Sequence, residues 1–235
     1  MSVDDPAHVR EQYADETRLQ TRLSAWRPTA DGRDPVTESV RAVDPAQTGD
    51  ADVLDVGCGT GATAERLAAL PGVRLVAVDL SPRFVEMTAE RGIDARHADI
   101  QQLPFDDDSF DVVHAGWMLY HVPDLDRGLA EVRRVLRPGG TLVAATNGDD
   151  HTAGLFRGAG AGPPVLSFSS ENGEDALTRH FHDVRRHDLE TRAVFADHAA
   201  AQAYLTSCDS TLDGLLAPFD GEREYAGHVT VFEAR

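Results

Sequence analysis

The nine residues Val53-Leu54-Asp55-Val56-Gly57-Cys58-Gly59-Thr60-Gly61 constrain this chain more than any other stretch. An apolar run passes into an acidic residue and three alternate glycines, the pattern of a buried β-strand turning into a helix. Glycines at such a turn remove the Cβ atoms that would keep backbone away from a ligand. They also permit positive φ and leave the first helical N–H groups open to polar ligand atoms. The turn alone does not name the ligand, since Gly57, Gly59 and Ala62 also fit the G-x-G-x-x-A spacing of dinucleotide binders. Asp79 closes the next apolar run at the distance of about 20 residues that suits an acid bonding ribose hydroxyls. Its carboxylate can accept two hydrogen bonds from a cis-diol in either ligand class.

Around this turn the chain alternates β-rich runs with helical periods, which predicts an α/β fold with a mostly parallel sheet. Strands are expected at Asp52 to Val56, Arg74 to Asp79, Asp94 to Ala98, Phe110 to Ala115 and Thr141 to Thr146. The first helix starts near Thr60 and ends at Pro71-Gly72. The second follows Ser81-Pro82, a serine cap with proline at the first helical position, and stops at Gly92. The clearest helix follows Asp124 and places Leu125, Leu129, Val132 and Leu136 on one face before Arg137-Pro138-Gly139-Gly140 breaks it. Upstream, a helix over about Ala7 to Trp26 is positioned to lie across a cleft. Gly148 to Pro164 reads as a glycine-rich loop. Beyond it, a helix near Asn172 to His180, a strand within Asp183 to Val194, a helix from about Asp197 to Thr206 and a last strand, Gly227 to Ala234, complete the expected order.

Composition narrows the partners. The 235 residues carry a formal charge of −18, and no basic cluster larger than an arginine pair offsets it, which argues against nucleic acid. No run reaches the roughly 18 apolar residues of a membrane helix, and Met1 to Arg10 lacks the features of a secretory signal, so a cytoplasmic protein with no membrane partner is expected. Cys58 and Cys208 match no metal or redox spacing and read as reduced thiols. No metal is expected: His180-Phe181-His182 lacks a partner cluster, and Asp106-Asp107-Asp108 lacks the glycine and glutamate of a calcium loop. Neither G-x-S-x-G nor H-E-x-x-H occurs. The chain contains no lysine, which fits either a salt-adapted host or GC-rich coding.

Three further segments carry a resemblance. They are Asp99-Ile100-Gln101-Gln102-Leu103-Pro104-Phe105, Asp108-Ser109-Phe110-Asp111-Val112-Val113, and Arg133-Arg134-Val135-Leu136-Arg137-Pro138-Gly139-Gly140. With the glycine turn they resemble the class I S-adenosylmethionine (SAM) methyltransferases, above all the branch that includes the ubiquinone and menaquinone biosynthesis enzymes. The resemblance covers residues 50 to 147. It implies a Rossmann-like, seven-stranded sheet whose last strand is antiparallel, with helices on both faces. It implies SAM as cofactor, with Asp55 orienting the methionine amino group and Gly57, Gly59 and Gly61 lining the methionine and ribose. Asp79 would hold the ribose hydroxyls, Asp99 the adenine amino group, and Leu80 and Ile100 the two adenine faces. Ala115 would sit on the cofactor side of the strand that follows.

The domain reading that results is a single methyltransferase domain over 1–235, with a helical cap at 1–50, a SAM-binding core at 51–147 and a substrate-side loop and C-terminal α/β half at 148–235. A sulfonium is already an activated methyl donor, so such a site acts mainly by alignment, with a general base needed only when the nucleophile keeps its proton. His121 is the candidate base. Trp117, Tyr120, Asn147, His151 and Tyr13 are candidate substrate residues, each with an alternative role in packing or backbone bonding. The acceptor is expected to be a small molecule, since the Asn/Asp-Pro-Pro-Tyr signature associated with planar nitrogens of DNA or protein is absent. Two alternatives stay open: a SAM-binding protein without transfer activity, and an NAD-dependent oxidoreductase, which a lysine-free chain cannot equip with a Tyr-x-x-x-Lys pair. The oligomeric state is undetermined.

Overall fold

In a computed structural model, residues 17–29, 31–43 and 50–235 are described. Their sheet has eight strands: β1 (Trp26–Arg27), β2 (Ala51–Val56), β3 (Val73–Asp79), β4 (Asp94–His97), β5 (Phe110–Gly116), β6 (Leu136–Asn147), β7 (Val184–Phe195) and β8 (Arg223–Ala234). The spatial order is β1-β7-β8-β6-β5-β2-β3-β4. Strands β4, β3, β2, β5 and β6 pair in parallel, whereas β8 runs antiparallel to both β6 and β7. The Rossmann-like sheet with its antiparallel last strand is therefore as expected, with one addition. Two residues, Trp26 and Arg27, extend the β7 edge against Ala193 and Arg192, too short a run to announce itself by alternation.

Parallel strands are covered on both faces, which is why β2 reads as nearly continuous hydrophobe. Leu54, Val113, Leu129, Val132 and Phe232 belong to one layer of core; Val53, Leu67, Val143 and Val231 belong to the opposite one. The helices are α1 (Thr17–Ser24), α2 (Pro35–Val43), α3 (Ala62–Ala68), α4 (Pro82–Glu90), α5 (Leu125–Val135), α6 (Ala153–Gly158), α7 (Gly173–Thr178) and α8 (His198–Cys208). Asp124 caps α5 by accepting the Arg127 N–H at 3.0 Å, and Leu129, Val132 and Val135 are its buried stripe. Leu136, expected on the same helical face, is instead the first residue of β6, and the expected break at residues 137–140 falls within the strand, where the register with β5 jumps from Phe110 opposite Leu136 to Val112 opposite Thr141. The glycine-rich stretch after β6 also departs from expectation, because it contains α6, whose Leu155 and Phe156 are buried. The segment before Thr17 of the anticipated amino-terminal helix, with Tyr13, lies outside the described residues. Among the described residues no helix is long and apolar enough to cross a membrane.

Candidate active site

Five parallel strands end at the same sheet edge, where open α/β sheets take their ligands. There the turn after β2 opens a cleft of about 970 Å³, at the upper end of small-molecule pockets. Gly57 and Cys58 donate their N–H groups to the Val78 carbonyl, which seats the turn against β3. Gly57 has φ 71°, and a Cβ there would lie 2.8 Å from both Cβ and Cγ of Met118. Gly61, with φ 78°, is required for a different reason: its Cβ would meet Thr88 Oγ1 at 2.7 Å and Arg91 Cδ at 2.9 Å, both on or beside α4. Gly57 and Gly59 line the cleft but Gly61 does not. The third glycine of the motif is thus required by helix packing. Burial pushes the Cys58 thiol up to about 12, which leaves it protonated and inert.

Asp79 is fixed at the tip of β3. Its Oδ2 accepts the Gly59 N–H at 2.9 Å and its Oδ1 accepts the Ser81 N–H at 2.8 Å. Burial raises the pKa of this carboxyl, and the two backbone donors pull against that shift. Each oxygen keeps a lone pair for a further donor. One strand further out, Asp99 accepts from the Gln101 backbone N–H at 2.8 Å and from Gln101 Nε2 at 3.1 Å. Leu80 and Ile100 both line the same end of the cleft, Leu80 exposed and Ile100 buried.

Beneath the turn, Asp55 and His114 face each other across the β2–β5 pairing. His114 Nδ1 lies 2.7 Å from Asp55 Oδ1, and both side chains are 2% exposed. Asp55 Oδ2 is buried without a hydrogen-bond partner among the described residues. Sequence reasoning did not single out His114; the parallel register that brings it opposite Asp55 was the available signal. Ala115, by contrast, is fully buried in the core shared with Val113 and Leu129 and does not reach the cleft. Alternation along β5 sends the His114 and Ala115 side chains to opposite faces of the sheet.

Trp117, Tyr120, His121, Asn147 and His151 all line the cleft. Trp117 has φ 55°, a left-handed conformation costly for a bulky residue, and its Nε1 donates to Asn147 Oδ1 at 3.1 Å. Tyr120 and His121 sit in a short turn with ring centroids 4.5 Å apart. His151 is buried beside Trp26, their centroids 4.2 Å apart, and its Nδ1 lies 2.8 Å from the His228 carbonyl. Desolvation lowers its pKa to about 4. Outside the cleft, His180 binds Asp126 at 3.1 Å on the surface. Asp150, Glu171 and His228 bring one ligand atom each within 4.8 Å of one another, with Asp150 and Glu171 exposed.

Residues 54–144 match a family model described as a methyltransferase domain. A 27-O-demethylrifamycin SV methyltransferase of Amycolatopsis mediterranei is 36% identical over 46% of this chain and 42% of its own length. A demethylmenaquinone methyltransferase of Clavibacter sepedonicus is 42% identical over 39% of each chain. The chain thus spans about two fifths of the length of these curated relatives. Among solved structures, a methyltransferase-titled protein of Bacillus halodurans superposes with a TM-score of 0.63 at 18% identity, over 85% of this chain and 97% of that one. The [4+2]-cyclase SpnF superposes at 0.65 with 20% identity, over 97% and 95%. These last two likenesses concern the fold alone, and the second shows that the fold carries more than one chemistry.

Proposed function

We propose that the protein transfers a methyl group from SAM to a small-molecule acceptor, a reading supported by the match of residues 54–144 to a methyltransferase-domain model. The observation that carries this reading is Asp79, anchored by Gly59 and Ser81 N–H groups with one acceptor site left on each oxygen. That is the geometry a ribose cis-diol needs. The residues present fit the rest of the donor. Leu80 and Ile100 offer apolar surface for a purine, Asp99 an acceptor for its amino group, and Asp55 Oδ2 an unmet acceptor for an ammonium. When bound, SAM supplies a methyl on a positively charged sulfur. The chain's own task is to hold that methyl in line with a nucleophile and keep water out, a placement worth several powers of ten in rate. Trp117, held by Asn147, and the Tyr120–His121 turn supply walls for that purpose.

A small acceptor is supported by the cleft's size and by relatives whose names specify a rifamycin and a menaquinone precursor. The cytoplasm is the compartment of this reading, which the two free cysteines suit. Calorimetry tests it: SAM and S-adenosylhomocysteine should both bind, and Asp79→Ala should weaken both by roughly 10- to 100-fold, the worth of charge-assisted bonds to two hydroxyls. No heat from either ligand, with tight binding of NAD, would sink the reading. Turnover of SAM in an acceptor screen separates an enzyme from a protein that only binds it.

A further inference from the structure

At the floor of the cleft a histidine is buried where the sheet is otherwise apolar. His114 is 1% exposed, and Val112, two residues earlier on the same face of β5, packs with Val53, Leu67 and Val143. An imidazole in such a layer is costly unless its nitrogens are bonded. Three contacts fix the ring. Nδ1 donates to Asp55 Oδ1 at 2.7 Å, since a carboxylate only accepts. Nε2 lies 3.4 Å from Oγ of Ser39, which is fully buried and donates its own hydroxyl to the Val36 carbonyl at 2.9 Å. A Cβ on Gly116 would come within 2.8 Å of Cε1, so the ring takes the space that the missing side chain leaves.

These contacts run from a cap helix to the cleft. Ser39 and Val36 belong to α2, and Val36, with Asp34 and Pro35 before it, lines the cleft that Asp55 and His114 also line. The carboxylate at the end of the chain of contacts is used on one side only. Its Oδ1 is taken by the imidazole, while Oδ2 is buried with no partner among the described residues. Buried polar atoms are normally satisfied, so an unmet oxygen beside a ligand cleft marks a donor that the ligand brings. Turning Oδ2 away would cost the bond to His114, which makes that bond the lock on the carboxylate's aim. A buried carboxylate stripped of its one donor turns toward any other within reach.

Resting on the methyl-transfer reading, we propose that His114 is a positioning residue for the donor: braced by Ser39 and seated against Gly116, it holds Asp55 so that Oδ2 receives the ammonium of the donor's amino-acid end. The role needs no proton transfer and no contact between imidazole and ligand. Its effect falls on the amino-acid end alone, because the nucleoside has its own partners in Asp79, Leu80 and Ile100. SAM and S-adenosylhomocysteine share that end, so the interaction is the same before and after transfer. Its loss should therefore raise KM for SAM and leave kcat in place.

The full chain is titrated calorimetrically with S-adenosylhomocysteine and with 5′-methylthioadenosine, which keeps the nucleoside and the thioether but lacks the amino-acid end. The unmodified chain should bind the first about tenfold or more tightly than the second. His114→Gln, which keeps a polar atom near Nε2 but none at Nδ1, should weaken S-adenosylhomocysteine about tenfold and leave 5′-methylthioadenosine within about twofold. His114→Asn, which keeps an Nδ1-like donor, should restore most of the difference. With Asp55→Ala in place, His114→Gln should bring no further loss, because residue 114 acts through that carboxylate. A variant damaged only in its fold loses both probes together, so their ratio separates aim from stability. Should His114→Gln fail to fold, Ser39→Ala carries the same comparison, with an expected loss of about threefold for S-adenosylhomocysteine alone. Equal loss of both probes, loss of neither, an Asn variant no better than the Gln variant, or an unmodified chain that binds the two probes equally overturns the proposal. Failure of the unmodified chain to bind either probe overturns the methyl-transfer reading and, with it, this one.

Discussion

At the scale of single residues, a glycine at the turn after β2 and a buried imidazole give the sharpest tests. Gly57→Ala combines a Cβ 2.8 Å from Met118 with a φ of 71°, so it should destabilise the fold by about 1–3 kcal/mol, read by chemical denaturation. Met118→Ala in the same chain should restore the steric part and leave the backbone part. His151 gives a pH signature whose sign can be worked out. Its pKa is about 4 in the fold against about 6.5 unfolded, so between those values the unfolded chain binds more protons. The stability this group contributes is complete above pH 6.5, declines as pH falls, and is gone below pH 4, a change of up to about 3 kcal/mol. His228 and Asp150 face it and are present in both proteins. The comparison is therefore between the unmodified chain and His151→Asn, and the variant should show the shallower loss between pH 6.5 and pH 4. Identical slopes would show that His151 is not held neutral by its surroundings.

At the scale of elements, the start of α5 is tied to the Asp99–Gln101 segment of the cleft. Asp124 caps the helix, Arg127 Nε donates to the Gln101 carbonyl at 2.8 Å, and the Asp124 N–H donates to Gln101 Oε1 at 3.2 Å. Asp124→Ala should cost about 1 kcal/mol of stability and weaken SAM more than a distant cap loss such as Asp197→Ala on α8, as paired denaturation and calorimetry would reveal. Elements of this kind were legible in the sequence because local signals agreed: a cap, an amphipathic stripe and apolar runs bounded by turn residues. Strand β1 was not, since two residues have no period, and α6 was hidden by the glycines that flank it. The site divides in the same way. Asp79 and Gly57 could be read from one turn and one spacing. The Asp55–His114 pair depends on register between strands 59 positions apart in sequence, and a motif does not reveal that a Cβ at Gly61 would meet Thr88 and Arg91 or that the Ala115 side chain is buried in the core.

At the scale of the whole molecule, the charge of −18 sets the response to salt. Many acidic groups are paired on the surface, as Asp52 is with Arg74 and Arg137, but the excess is uncompensated repulsion. Raising sodium chloride from about 0.01 M to about 0.15 M shortens the screening length from about 30 Å to about 8 Å and should raise Tm by several degrees. A falling Tm over that range would mean that paired surface charges dominate the balance. The same field favours a neutral or cationic ligand over an anionic one, in keeping with a sulfonium donor.

The central claim is that the edge formed by β2, β3 and the Asp99–Gln101 segment is an adenosyl site. A crystal structure with S-adenosylhomocysteine tests it most directly. The ribose hydroxyls should lie within hydrogen-bond distance of Asp79, the adenine between Leu80 and Ile100, and the amino-acid end over the unpaired oxygen of Asp55. A ligand bound elsewhere, or an Asp79 carboxylate left without a ribose contact in a fully occupied cleft, would contradict the account.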